Sequence, residues 1–336
     1  MFKREETLQV RRHTLRRGEP EGMGMVKTSK YVKIAKAVYI AARHSGMPKY
    51  RSKYSNRIFD QWTWIALLVL RQYERKDYRG FIEWLVVATP VVEYLKLKRI
   101  PHFTSLQKAA MRLDSIAVRR IIGRFIKERN SEEGIRMVGI DSTGYRIEHA
   151  SQYYQTKLTH TGKKRDICRK YLKVTISVDT KTLLIVAVKI RRGPASDQKD
   201  FAFVARKTHT IARPNIYLAD KGYDAEKNHR LIREELAAFS IIPPRNEHVS
   251  IHRTKGKYRK EMKRGYNQEF YNRRVLVETV NSVVKRRFGE CIYSRKIRTQ
   301  NRELELRLLA YNVDRYISLF LFIILRVSTQ QYRHKV

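Results

Sequence analysis

The sequence predicts a mixed α/β fold whose sheet is preceded by an all-helical region. Between residues 57 and 130 the chain carries a close succession of helical segments. After Gly134 the pattern changes to short apolar strands that alternate with helices, which is typical of a mixed sheet covered by helices. With 42% hydrophobic residues in 336, the chain can bury a core despite a formal net charge of +40.

Residues 1–56 are predicted to form a basic arm followed by one helix. The helix runs through KYVKIAKAVYIAARH, with Thr28 or Ser29 as its cap, and ends before Gly46 and Pro48. The arm itself mixes acidic and basic residues with Gly and Pro, so we expect it to be loosely ordered.

Residues 57–130 are predicted to form a compact helical domain. The helix that follows Asp60 is apolar around most of its circumference and should be buried. Further helices are expected at Tyr78–Val87, at Val91–Leu97, from about Thr104, and at Ser115–Glu128. A helix-turn-helix DNA-binding domain is compatible with this succession. A bundle that only packs on its neighbour fits equally well, and the sequence leaves both open.

Residues 134–326 are predicted to form the α/β domain, followed by a polar tail at 327–336. Five strands are expected, at Arg136–Ile140, Tyr171–Val178, Leu183–Ile190, Ile216–Ala219 and Phe239–Ile242. Helices are expected around Phe201–His209 and at Glu226–Ala238, Glu269–Phe288 and Leu304–Leu325. The last helix is apolar enough to pack on the sheet or to form part of a dimer contact.

The charge balance points to a polyanionic partner. There are 72 Lys and Arg against 32 Asp and Glu, spread through the whole chain. Nucleic acid is the first candidate, because neutralising its phosphates releases counterions. A membrane surface would instead favour one basic amphipathic helix or tail. The longest late apolar run, Leu319–Leu325, is far shorter than the roughly 18 residues that span a bilayer. The two cysteines, Cys168 and Cys291, cannot build a disulfide framework, so we expect a soluble intracellular protein.

Three acids are placed where they could form one site. Asp141 and Asp220 each follow a short apolar strand, and the carboxyl ends of strands in an open α/β sheet meet at a shared crevice. Glu278 lies at the centre of a polar stripe on its helix, whose opposite side is aliphatic. Carboxylates are good ligands for divalent cations. Taken singly, each Asp could also cap a turn, and the stripe could be a solvated face.

Tyr271, Arg274 and Lys285 share the stripe with Glu278. A rotation of about 100° per residue places all three within about 40° of the acid, and Asn281 and Ser282 within about 60°. The basic segment 245–264 leads into this helix and could hold DNA beside the site. Asp224 is expected to cap the following helix rather than to bind a metal.

These residues resemble those of a known family. LADKGYD (218–224) resembles the Asp-x-Gly-Tyr-Asp motif of DDE transposases with an RNase H-like fold, and GIDSTGY (139–145) resembles their first-Asp motif. Tyr271-x2-Arg274-x3-Glu278-x6-Lys285 is similar to their Tyr-Arg-Glu-Lys signature at every spacing. The segments LRQYERKDYRGFIEWL and IPHFTSLQKAAMRL are similar to the helical region of the insertion-sequence-5-like group, in the insertion-sequence-4/5 superfamily.

The resemblance implies an RNase H-like five-stranded mixed sheet with adjacent first and fourth strands, and a function in DNA transposition. It makes Asp141, Asp220 and Glu278 the ligands of two Mg²⁺ ions, with Mn²⁺ able to substitute. It makes Tyr271, Arg274 and Lys285 the expected DNA-binding residues, as contacts to the DNA backbone. Metal-dependent cleavage at the terminal inverted repeats and strand transfer into target DNA would follow.

The resemblance also implies a cellular location, a partner and an oligomeric state, and two alternative functions stay open. The expected protein works on double-stranded DNA in the cytoplasm of a prokaryote, associated with the nucleoid, as a homodimer or higher oligomer and without a membrane partner. Only 57 residues separate Asp220 from Glu278, so the large β-rich insertion of the insertion-sequence-4-like branch is absent from the sequence. The alternatives are a transposon-derived, non-catalytic DNA-binding protein and an RNase H-like nuclease without strand transfer.

Overall fold

The structure is a computed structural model that describes residues 29–127, 136–148, 171–193 and 195–333, with side chains up to residue 319. The expected N-terminal arm at residues 1–27, Cys168 and the last three residues of the expected tail lie outside the described residues. Within the described residues, no helix is both long enough and apolar enough to cross a membrane.

Six helices precede the sheet in the described part of the chain, and the sequence predicted each of them. They are α1 (Lys30–Arg43), α2 (Gln61–Tyr73), α3 (Tyr78–Val87), α4 (Thr89–Tyr94), α5 (Phe103–Arg112) and α6 (Ser115–Lys127). Asp60 caps α2, because its Oδ1 accepts a hydrogen bond from the Thr63 N–H at 2.6 Å. Residues 65–70 of α2 are fully buried. The expectation of a buried helix after Asp60 is therefore confirmed.

The sheet has the strand order β3-β2-β1-β4-β5. The strands are β1 (Met137–Ile147), β2 (Tyr171–Asp179), β3 (Ile185–Arg192), β4 (Ile216–Ala219), β5 (Phe239–Ile241) and the short β6 (Cys291–Ile292), which pairs with the end of β1. The first three strands are antiparallel, whereas β4 runs parallel to β1 and β5 parallel to β4. This is the RNase H-like arrangement, with the first and fourth strands adjacent as expected. The sequence missed β6, since two residues carry no readable pattern.

Strand β1 is longer than predicted. It was expected to end at Ile140, but it continues to Ile147, so Asp141 lies inside the strand rather than after it. Polar residues interrupt the apolar run at this point, yet the backbone ladder continues because Asp141 pairs with Ile176 and Ser142 with Thr175. A β ladder is made by backbone groups and does not need apolar side chains.

The helices after β3 cover both faces of the sheet. They are α7 (Gln198–Ala212), α8 (Glu226–Arg230), α9 (Lys257–Arg264), α10 (Gln268–Asn272), α11 (Val275–Phe288) and α12 (Ile297–Arg333). A π-helical turn at Leu231–Glu235 follows α8, where the sequence predicted one regular helix to Ala238. Helix α12 begins earlier than predicted and runs through most of the segment expected to be a polar tail.

One buried cluster joins the N-terminal helices to the sheet. It includes Leu67 of α2, Ile122 of α6, Val174 of β2, Val277 of α11 and Leu309 of α12. A second cluster, on the side of α7, is formed by a smaller set of residues that includes Ile140, Phe201, Tyr217 and Ile232. The helical region therefore packs on the same core that supports the sheet, and α11 contributes side chains to that core.

The predicted long helix Glu269–Phe288 is divided in two. Arg274 N–H donates to the Tyr271 carbonyl at 2.8 Å, and Val277 N–H donates to the Arg274 carbonyl at 2.9 Å. These are hydrogen bonds to the third preceding residue, which tighten the turn between α10 and α11. The prediction that Tyr271 and Glu278 share one continuous helical stripe is therefore wrong.

Candidate active site

Asp141 and Asp220 are brought side by side by the parallel pairing of β1 and β4. The last pair in that register is Ile140 with Ala219, and each Asp is the next residue in its chain. Neighbouring strands lie about 4.8 Å apart, so both acids start from the same place on the sheet. Asp220 Oδ1 accepts the Lys221 N–H at 2.7 Å, and this contact opens the 3₁₀ turn Lys221–Tyr223.

Helix α11 runs alongside β1 and covers the face of the sheet on which Asp141 lies. Successive residues of a strand alternate between faces, so Gly139, Asp141 and Tyr145 point the same way. Val277 lies over Gly139, where an added Cβ would overlap the valine Cγ2. Further along, Lys285 Nζ lies 5.5 Å from the centroid of the Tyr145 ring. The absent side chain at Gly139 therefore allows the helix of Glu278 to approach the strand of Asp141.

Glu278 is engaged by Arg274 in this structure. The Arg274 Nη1 donates to Glu278 Oε1 at 2.6 Å, while the Glu278 side chain remains 52% exposed. The Arg274 guanidinium also lies 5.7 Å from the centroid of the Tyr271 ring. Although the helix is divided, Tyr271, Arg274 and Glu278 thus form one contact group, whereas Lys285 lies about two turns further along α11.

The electrostatics of Asp141 connect the three acids. Burial raises the pKa of the Asp141 carboxyl above its ordinary value, and the negative charges of Glu278 and Asp220 raise it further. The Ser142 N–H and the Arg274 guanidinium act in the opposite direction. Nearby like charges disfavour the ionised form of a carboxyl group. A cation placed among the three acids would remove this repulsion.

Asn281 is a site residue to which the sequence assigned no role. Its side chain is buried, and Nδ2 donates a hydrogen bond to Asp141 Oδ2 at 3.3 Å. Its Oδ1 is buried with no hydrogen-bond partner among the described residues. The available signal was its position on the polar stripe, one turn after Glu278, but periodicity alone could not show that it reaches Asp141.

A hydroxyl network fixes the opposite face of β1 next to Asp141. Ser142 Oγ lies 2.7 Å from both Thr175 Oγ1 and the Tyr223 hydroxyl. The Tyr223 ring packs against Phe201, and burial raises the pKa of the phenol well above its ordinary value. Tyr223, the tyrosine of the Asp220 motif, therefore ties the turn after β4 to β1 and β2.

Asp224 does not cap helix α8, which corrects the expectation from the sequence. Its carboxylate accepts two hydrogen bonds from the Arg259 guanidinium, at 2.7 and 2.6 Å, and one from the Arg245 N–H at 2.9 Å. Burial alone would raise the pKa of Asp224, but these donors hold it below the ordinary value. Because Glu226 also accepts the Tyr258 and Arg259 N–H groups, the basic segment is anchored beside the Asp220 turn.

The residues fit divalent cations in donor type and charge. Carboxylate oxygens are the hard ligands that Mg²⁺ and Mn²⁺ take, and the repulsion felt by Asp141 is of the kind that a cation relieves. Among the described residues, however, no three His, Cys, Asp or Glu side chains form a group that could hold a metal ion. Glu278 is bonded to Arg274 in this conformation, so it must exchange partners before it can join the two aspartates.

The chain has similarity to a solved structure and to a protein-family model. Among solved structures it is similar to the piggyBac transposase in a cryo-EM structure of the synaptic complex with hairpin DNA, with a TM-score of 0.42 and 10% identity, covering 85% of this chain and 72% of that one. The family model described as "Transposase DDE domain" matches residues 133–313, which contain Asp141, Asp220 and Glu278. Since this match spans more than half of the 336 residues, the chain belongs to the transposase DDE domain family.

Proposed function

We propose that the protein is an active DNA transposase of the insertion-sequence-5-like group, which cleaves the ends of its mobile element and transfers them into target DNA. The observation that supports this most is that the three acids lie on elements that pack against one another. Asp141 and Asp220 lie on adjacent parallel strands, and Glu278 lies on a helix that contacts β1 at Gly139. A purely structural role gives no reason to place three acidic residues on these adjoining elements.

Asp141, Asp220 and Glu278 would hold two divalent cations, Mg²⁺ in the cell with Mn²⁺ as a substitute. Such ions supply an activated oxygen nucleophile and stabilise the oxyanion that leaves phosphorus. Asp141, whose carboxyl interacts electrostatically with both other acids, would be one of the residues that hold the ions. Water is the nucleophile for cleavage, and the freed 3′-hydroxyl is the nucleophile for strand transfer, so the protein itself need not supply a Ser or Tyr nucleophile.

Arg274 would couple DNA binding to the completion of this site. In this structure its guanidinium neutralises Glu278. A guanidinium binds two phosphate oxygens at once, so a DNA phosphate can compete for it. When Arg274 moves to the phosphate, Glu278 becomes free to turn towards Asp141. Tyr271, which packs under the guanidinium, and Lys285, further along the same helix, would hold the neighbouring backbone.

The charge of the chain suits the proposed partner, double-stranded DNA with the inverted repeats of the element and a target. A net charge of +40 favours phosphate binding at any sequence. Phosphate contacts carry no sequence information, so the element ends would be recognised by contacts to their bases. The helical region is the candidate for making these base contacts. Assembly as a dimer or higher oligomer on two element ends, in a prokaryotic cytoplasm at the nucleoid, belongs to the same proposal.

A product assay tests this function against its alternatives. The full-length protein is incubated with a labelled element end, a supercoiled target plasmid and Mg²⁺. We expect a nicked end and a labelled plasmid, both absent with Asp141→Asn, Asp220→Asn or Glu278→Gln and both retained with the exposed-residue control Glu269→Gln. Nicking without plasmid labelling would indicate a nuclease. Binding without either product would indicate a non-catalytic DNA-binding protein.

A further inference from the structure

We infer that a pocket in the helical region binds one nucleotide whose base has left the DNA duplex. The pocket lies between the segment before α2, α2 itself and α5, and has a volume of about 280 Å³. Its residues belong to none of the three acid motifs. The inference rests on DNA as the proposed partner but not on the proposed chemistry.

The floor of the pocket is aromatic. Tyr50, Phe59 and Trp64 line it and are half-buried. The rings of Phe59 and Trp64 lie 4.8 Å apart between centroids, at an interplanar angle of 48°. Trp64 donates no hydrogen bond from its indole N–H within the described residues, whereas Trp62 donates its own to the Met47 carbonyl at 3.0 Å. The floor thus offers aromatic surface and a free indole donor.

The rim of the pocket is cationic. Four exposed side chains lie around it, Arg51, Arg99, Lys108 and Arg112, and its lining contains no Asp or Glu. None of the four forms an ion pair within the described residues, in contrast to Arg119 and Arg287, which pair with Glu305 and Asp314. Arg51 only donates to the Arg112 carbonyl, at 2.8 Å. The unpaired cations of the rim favour a ligand with an anionic edge, and the aromatic floor favours one with a flat apolar body.

A nucleotide has that shape and charge. Its base can stack on the aromatic floor, and its phosphates can meet the rim. A base inside a duplex is stacked on its neighbours and cannot enter a pocket, so only an unpaired or flipped base fits. The volume is close to the lower end of small-ligand pockets, which suits one base with its sugar rather than a length of strand.

The chain segment 49–57, which lines part of the pocket, has features of a single-strand binding site. Residues 49–57 have the sequence KYRSKYSNR, in which four basic residues are interleaved with two tyrosines. One of the four, Arg51, also belongs to the rim of the pocket. Lys49 and Lys53 lie 5.6 and 5.1 Å from the centroids of the Tyr50 and Tyr54 rings, and Tyr54 is 84% exposed. Basic side chains that track a backbone and aromatic rings that accept bases are the two parts of single-strand binding sites.

The test measures binding without catalysis. Full-length protein carrying Asp141→Asn is titrated with fluorescent oligothymidylate of about eight nucleotides, which is within the range of single-strand site sizes, and with a duplex of the same length. We expect Trp64→Leu to weaken single-strand binding about 5- to 100-fold and to leave duplex binding nearly unchanged. Trp64→Phe keeps an aromatic ring and should restore most of the affinity.

The rim is tested with exposed residues, so that folding is not in question. The pair Arg99→Glu and Lys108→Glu should weaken single-strand binding more than the control pair Lys98→Glu and Arg120→Glu, which changes the net charge equally on exposed positions outside the pocket. Equal losses from the two pairs, or unchanged single-strand binding by Trp64→Leu, would overturn the inference. Because the background is inactive, a failure of the proposed transposition would leave these results unaffected.

Discussion

Val277 occupies the space that a side chain at Gly139 would need, and this contact sets how closely the helix of Glu278 approaches the strand of Asp141. Both residues are buried in the interface between α11 and β1. The carboxylates of Asp141 and Glu278 take no part in this contact. Their relative position is instead decided by Val277, the residue before Glu278, and by Gly139, two residues before Asp141.

Gly139→Ala is therefore expected to displace α11. Overpacking of this kind costs about 1–3 kcal/mol, and we expect the free energy of unfolding to fall by that amount and cleavage of an element end to fall with it. Chemical denaturation and a cleavage assay measure the two effects. Val277→Ala in the same chain should restore part of both, because it removes the overlapping methyl groups. Gly222→Ala is the control for the unfolding measurement alone, since nothing lies within 4 Å of a Cβ there.

Arg274 is expected to act on DNA more than on folding. Arg274→Ala should lower cleavage strongly while leaving stability within about 1 kcal/mol, because its ion pair with the half-exposed Glu278 is worth little. Arg274→Lys should rescue only part of the rate, since an ammonium cannot hold two phosphate oxygens in the same geometry. Single-turnover cleavage measures both variants. Full activity of Arg274→Ala would return this residue to a surface role.

Asn281 is expected to position Asp141 for the metal. Residues that hydrogen-bond a metal ligand typically change metal affinity or activity about 10- to 100-fold when they are replaced. Asn281→Ala should therefore raise the Mg²⁺ concentration for half-maximal cleavage. Its effect on unfolding should be small, because the Asn281 Oδ1 is already buried without a partner. The neighbouring exposed Ser282→Ala is the control, and an unchanged Mg²⁺ requirement would contradict the assignment.

His229 is expected to make the protein less stable in mild acid. Burial lowers the pKa of its imidazole from 6.5 to about 4, and its Nδ1 lies 2.9 Å from Ser240 Oγ. Between pH 6.5 and 4 the unfolded chain takes up a proton that the folded chain refuses, so stability falls as the pH falls through this window. The loss is about 3 kcal/mol at full extent. Denaturation curves at several pH values measure it.

A His229→Gln variant removes the ionisable group and should flatten the pH dependence over that window. Exposed His44→Gln serves as the matched variant and should leave the slope in place. The same slope in His229→Gln and in the unmodified protein would show that another group controls acid stability. The polar contact with Ser240 does not depend on a charge, so the substitution is not expected to prevent folding.

Local sequence signals predicted most of the helices and strands in their correct order, although they missed α9 (Lys257–Arg264) and β6 (Cys291–Ile292). Strand β4 was predicted with its observed bounds, from a short apolar run that ends before Asp220. Helix α3 was also predicted with its observed bounds, since its cap Asp77 and its apolar spacing both lie within about ten residues. These signals lie within the element itself, so residue propensities and hydrophobic periodicity are enough to predict its bounds.

Contacts between distant side chains depend on the tertiary fold. Asp224 binds Arg259, 35 residues away, rather than the helix next to it, and Asn281 reaches Asp141 across 140 residues. The ladder with β2 extends β1 through the polar residues after Ile140. The tight turn at Arg274 separates Tyr271 from the stripe of Glu278. Each of these outcomes depends on a partner that is distant in the chain, and hydrophobic periodicity carries no information about that partner.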